Sequence, residues 1–114
     1  MGDQKPIGTT RTLPDCPIET TLTLISDKWK ALILRDLMTG TKRFSELRRS
    51  LAPVSQKVLA NQLRQMAENG LIIRTVYPEV PPRVDYRLTE LGYSLKPIFD
   101  VMREWGIAYK AKNL

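Results

Sequence analysis

The 114-residue chain is long enough for one domain, and it has neither the run of roughly 18 apolar residues that crosses a bilayer nor a secretory-type apolar stretch in residues 1–14. One cysteine and no histidine exclude an intrachain disulfide and a cysteine-built zinc site, and remove the commonest general base, which weighs against an enzyme. The net charge is +6, and residues 41–87 hold nine basic against four acidic side chains, which suits a polyanion, either nucleic acid or an acidic membrane surface, with a basic face that only aids solubility as the alternative.

Residues 1–14 are polar, carry Pro6, Gly8 and Pro14, and show no periodicity, so a tail is expected there and a single domain over 15–114. Pro6 stands where a myristoylation pattern needs Ser or Thr, and no lipid anchor, membrane span or cofactor is expected; the localisation this implies is cytoplasmic. Pro17 opens a helix carrying Ile18, Leu22 and Ile25 at helical spacing. A second helix starts near Lys28, with Trp29, Leu32, Ile33 and Leu37 on one face and Gly40 as its stop. Both helices read as core.

Ser45 is placed to cap "ELRRSL", which ends at Ala52-Pro53 because a residue before proline is pushed out of the helical region. Ser55 then caps a longer helix over 55–69, closed by Gly70, in which Leu59, Leu63 and Met66 form a buried stripe. On its other side cluster Gln56, Lys57, Ala60, Asn61 and Arg64. Helix, tight turn, helix is the arrangement that props a reading helix into a DNA major groove, whose base edges Gln, Asn, Lys and Arg can each satisfy with two hydrogen bonds. An ordinary amphipathic helix with a wet polar face would show the same pattern.

"LIIRTVY" and "RVDYRL" are rich in β-branched and aromatic residues and bracket "PEVPP", predicting an antiparallel hairpin with its tip region at 76–86. Prolines at such a tip lower the entropy lost when it is held against a partner, and they also blunt an exposed strand edge. Helix, turn, helix, hairpin is the order of a winged helix, and it makes Arg83 the expected wing contact to the minor groove or the sugar-phosphate backbone, with Lys42, Arg43, Ser45 and Ser55 as further expected DNA contacts. From Thr89, a plausible cap, a last helix runs toward Ala111, kinked or restarted at Pro97. Its wide stripe of Leu95, Ile98, Phe99, Met102, Trp105 and Tyr109 exceeds what so small a core can cover, so part of it should meet a second copy, together with Ile18 and Leu22. The fold class expected is mostly α with a small β-hairpin, a winged helix-turn-helix dimerised through its terminal helices.

The words "CPIE", "DKWKALILRDLMTGTKRFSELRRSL", "SQKVLANQLRQMAENGLIIRTVYPEVPPRVDYRLTELG" and "EWG", in that order from Cys16 to Tyr109, resemble the HxlR family of bacterial winged helix-turn-helix transcription regulators, relatives in fold of the MarR group. The resemblance implies a homodimer on a pseudo-palindromic operator, acting as repressor or activator, with "SQKVLANQLR" in the major groove and the hairpin as wing. Two departures stand out: Ala60 replaces an expected Thr, and Ser26-Asp27 replace a frequent Gly-Gly, a change expected to affect only the turn. Some relatives detect oxidants or electrophiles with the cysteine at the place of Cys16. A helix N-terminus favours a thiolate and Asp15 opposes it, so a sensor and a small residue buried between copies both stay open, as does a small-molecule or oxidant effector. The other function class is a winged-helix adaptor for protein partners that reads no DNA itself.

Overall fold

The structure, a computed structural model, describes residues 12–112; most of the expected tail lies outside them. The elements are α1 (Pro17–Ile25), α2 (Lys28–Leu37), β1 (Lys42–Arg43), α3 (Phe44–Ser50), α4 (Gln56–Glu68), β2 (Ile72–Tyr77), β3 (Arg83–Leu88), α5 (Glu90–Tyr93) and α6 (Lys96–Lys110). The protein is mostly helical with one small antiparallel sheet, and among the described residues no helix is long and apolar enough to cross a membrane.

Both central helices form where their apolar stripes predict, and Asp27, expected to affect only the turn, is the cap of α2. Asp27 caps α2 by accepting from the backbone N–H groups of Trp29 (2.8 Å) and Lys30 (3.3 Å), and Ser55 caps α4 by accepting from Val58 N–H (3.0 Å). At the far end of α4, Gly70 takes φ +79°; its N–H reaches Ala67 O and that of Leu71 reaches Met66 O, the paired bonds of a Schellman stop. Ile33, Leu34 and Leu37 of α2 and Leu59, Leu63 and Met66 of α4 are almost wholly buried. They pack with Leu47, Leu51, Val54, Leu71, Ile72, Tyr86 and Leu88 in one core, each such side chain contributing about 1.5–3 kcal/mol by leaving water. Leu51 and Val54 anchor the turn between α3 and α4, which fixes the angle at which α4 leaves the body.

Several expectations are corrected. α3 begins at Phe44, because Glu46 Oε1 accepts from the Arg43 N–H (2.7 Å); Ser45 is already inside the helix and is not its cap. The hairpin is part of a three-stranded sheet of order β1-β3-β2, in which Lys42 pairs with Tyr86 and Arg43 with Asp85. Two expectations for the last segment hold: Thr89 Oγ1 accepts from Gly92 N–H (3.0 Å) as a cap, here of the short α5, and the chain restarts as α6 with Pro97 in its first turn. α1 is not core: only Ile25 is buried, whereas Ile18 is 72% exposed. Leu95, expected at a dimer interface, turns into the chain's own core at 8% exposed, and Phe99 leans against that core.

Candidate nucleic-acid interface

Because α4 spends Leu59, Leu63 and Met66 on the core, helical geometry turns Gln56, Lys57, Ala60, Asn61 and Arg64 outward, and all five are exposed. Arg64 is held over this face: its Nη1 lies 3.3 Å from Glu68 Oε2 and its Nη2 donates to Asn61 Oδ1. Between α4 and the sheet runs a groove of about 770 Å³ with an apolar floor that includes Phe44, Leu63, Val84 and Tyr86, and a polar rim of Gln56, Arg64, Glu68 and Arg74. Helix and sheet thus stand as two walls of one concave surface. Ser45 and Ser55 are exposed at the N-terminal ends of α3 and α4; Arg43 is exposed on β1, and Lys42 beside it donates to Thr39 Oγ1 (2.8 Å).

Two further cations border this surface. Arg48, one helical turn after Ser45 on α3, comes within 3.5 Å of Gln56 Oε1 and carries positive charge to the foot of α4; the i, i+3 spacing from Ser45 was the available signal. Arg74 lines the groove from β2.

The wing differs from the expectation for Arg83. Tyr77 and Arg83 face each other across the hairpin, and the guanidinium sits over the ring, its carbon 4.0 Å from the ring centroid. Glu79 Oε2 is 3.5 Å from Nη1, and Nε faces Asp85 Oδ1 at 3.5 Å with neither of those two buried atoms making a proper hydrogen bond. Arg83 is therefore folded back at 28% exposed, and the tip itself offers Val80, fully exposed, with Pro81, Pro82 and Glu79.

Away from this surface, α1 and α6 carry exposed apolar side chains. Ile18 and Leu22 stand out on α1; Ile98, Met102, Trp105 and Tyr109 lie on one face of α6, with the last two rings stacked 5.1 Å apart. No residue of α6 is buried, and nothing lies within 4 Å of where a Cβ on Gly106 would stand. Cys16 is exposed at the N-cap of α1.

The profile of HxlR-like helix-turn-helix proteins matches residues 24–113. The chain belongs to the HxlR family. Among its relatives, the HTH-type transcriptional regulator YdeP of Bacillus subtilis strain 168 is 46% identical over 95 residues, 83% of this chain and 74% of YdeP. The redox regulator HypR in its reduced form is a structural neighbour with TM-score 0.80 and 42% identity, over 83% of this chain and 94% of HypR. A MarR-family transcriptional regulator from Enterococcus faecalis V583 superposes with TM-score 0.75 at 40% identity, over 84% of this chain and 87% of its own. This HxlR-family chain is thus a winged-helix protein in a family of transcriptional regulators, not of enzymes.

Proposed function

We propose that the protein binds double-stranded DNA as a homodimer, laying α4 of each copy in the major groove of a pseudo-palindromic operator, with the hairpin on the adjacent backbone or minor groove. The observation that carries this reading is the exposed polar face of α4, Gln56, Lys57, Asn61 and Arg64, backed by a fully buried stripe and flanked by the sheet. A B-DNA major groove admits one helix, and these side-chain types match its donor and acceptor patterns. Two copies holding their α4 helices about 34 Å apart would meet successive turns on one side of the duplex.

A salt titration tests it. If Lys42, Arg43, Lys57, Arg64 and Arg83 of each copy neutralise one phosphate apiece, the log-log slope is about −4.5 per copy and about −9 for the homodimer, a loss on the order of 10⁵-fold for the homodimer between 50 and 200 mM salt. The second reading, a protein-binding adaptor, is favoured by one feature, a wing tip presenting Val80 and Glu79 rather than a cation; an affinity for duplex that stays flat over this range would select it.

The effector route proposed is Cys16. Its thiol is exposed, and Cys16 stands at the N-cap position of the helix that carries Ile18 and Leu22, so an adduct there would shift α1 against a second copy and change the spacing of the two α4 helices. Alkylation with iodoacetamide should weaken duplex binding by the wild type and leave Cys16→Ser unaffected; equal behaviour of the two would assign the thiol to packing alone.

A further inference from the structure

α4 is tied to α2 by two polar contacts that run in parallel. Asp27, while capping α2 through Oδ1, accepts from Gln62 Nε2 through Oδ2 at 3.3 Å, and Lys30 Nζ donates to Gln65 Oε1 at 2.9 Å. Asp27 and Lys30 are one turn apart on the first helical turn of α2, and Gln62 and Gln65 are one turn apart on α4, so the two helices are pinned at two points along their contact.

Neither tie is an efficient source of stability. Lys30 is a 9% exposed cation that meets an amide oxygen, and among the described residues no carboxylate pairs with it and the buried Gln62 Oε1 has no hydrogen-bond partner. The apolar stripe already attaches α4 to the body, but apolar contact is non-directional and resists rotation of the helix about its axis only weakly. Hydrogen bonds are directional. A 10° roll moves a side-chain tip about 6 Å from the axis by about 1 Å, enough to spoil a two-bond contact to a base edge.

We propose that Asp27 and Lys30 are positioning residues: through Gln62 and Gln65 they set the rotation of α4, and so decide where Asn61 and Arg64 point in the groove of the duplex. Asp27 also follows the C-cap of α1, so the same residue joins the proposed dimer helix to the proposed reading helix. The inference rests on the DNA reading proposed above.

The test uses the full-length protein, a duplex selected by the wild type from a random-sequence pool, and a scrambled duplex of the same composition. Gln62→Met keeps helix propensity and bulk, deletes the tie, and removes the buried orphan oxygen. Its unfolding temperature should stay within about 3 °C of the wild type or rise, while the selected-to-scrambled affinity ratio falls about tenfold, the scale of one lost base contact. Gln62→Glu sets carboxylate against carboxylate and should lower the ratio as well. Adding Asp27→Asn restores a donor facing Glu, keeps a good cap, and should recover at least half of the loss on a logarithmic scale.

An unchanged ratio in Gln62→Met, or a double variant no better than Gln62→Glu alone, overturns the proposal; the latter result would mean that Gln62 meets DNA itself. A wild type that selects no duplex removes the DNA reading and this inference with it. A wild type that selects one, with Gln62→Met just as selective, removes only this inference.

Discussion

Arg83 shows how one side chain can be prepared for a partner and withheld from it. Its guanidinium rests on Tyr77 and faces Glu79 and Asp85, so reaching a phosphate means exchanging two carboxylates for one. Glu79 is the more exposed of the two, and its loss both frees the cation and removes a negative charge from the wing. Glu79→Gln is therefore expected to raise affinity for selected and scrambled duplex alike, by about threefold at low salt, and Arg83→Ala to lower both evenly while reducing the salt slope by about one. Fluorescence anisotropy against the two duplexes reads both effects; a loss confined to the selected duplex in Arg83→Ala would make it a base reader instead. A different constraint acts at Gly92, where a Cβ would stand 2.3 Å from the carbonyl oxygen of Leu71 and 3.0 Å from Leu88 Cδ2. Because the closest of these atoms is backbone, the neighbour cannot yield cheaply. Gly92→Ala should cost about 2–4 kcal/mol, visible as a lower urea midpoint with an unchanged slope.

At the scale of elements, α2, α4 and the hairpin strands were legible because each satisfies two local rules at once. In α4, a Ser55 cap, a stripe of period near 3.6 and a Gly70 stop agree with one another. β1 was not legible, since Lys42–Arg43 has no strand pattern of its own and is extended only because Tyr86 and Asp85 offer it an edge. The start of α3 moved for a related reason: Ser45 is the better cap by type, but the Glu46 carboxylate reaches back to the Arg43 amide and fixes the cap two residues earlier. Least legible were the pairings across long separation, Asp27 with Gln62 and Lys30 with Gln65, which no spacing rule encodes. On α4 itself, Arg64 hydrogen-bonds to Asn61, so the two act as one unit. Asn61→Ala and Arg64→Ala should each relax sequence preference, and the double variant should fall short of the sum of the single losses by about 1 kcal/mol in discrimination, measured by competition with the scrambled duplex. Additive losses would mean that each side chain reads its own base.

Taken as a whole, the molecule buries its core well and leaves its two terminal helices apolar and uncovered. Ile18 is 72% and Trp105 66% exposed, and Ile98, Met102 and Tyr109 extend the same face of α6. A patch of this kind is unfavourable on a lone chain in water, and a second copy of the same face is the simplest cover under two-fold symmetry. Met102 lies at the middle of that face, so Met102→Arg should bury an unpaired charge if two copies meet there and should cost the single chain nothing, because Met102 is already exposed. The expected result is a variant with wild-type helicity that sediments as one chain at tens of micromolar, where the wild type sediments as two. On a duplex carrying both half-sites its affinity should fall by about 100-fold or more, since the second contact is no longer intramolecular, whereas on a single half-site it should change less than about threefold. Gly106→Ala refines the location: a Cβ there meets nothing within 4 Å among the described residues, so a gain in helix stability of up to about 1 kcal/mol with intact pairing would place Gly106 outside the contact, and weakened pairing would place a partner's backbone against it.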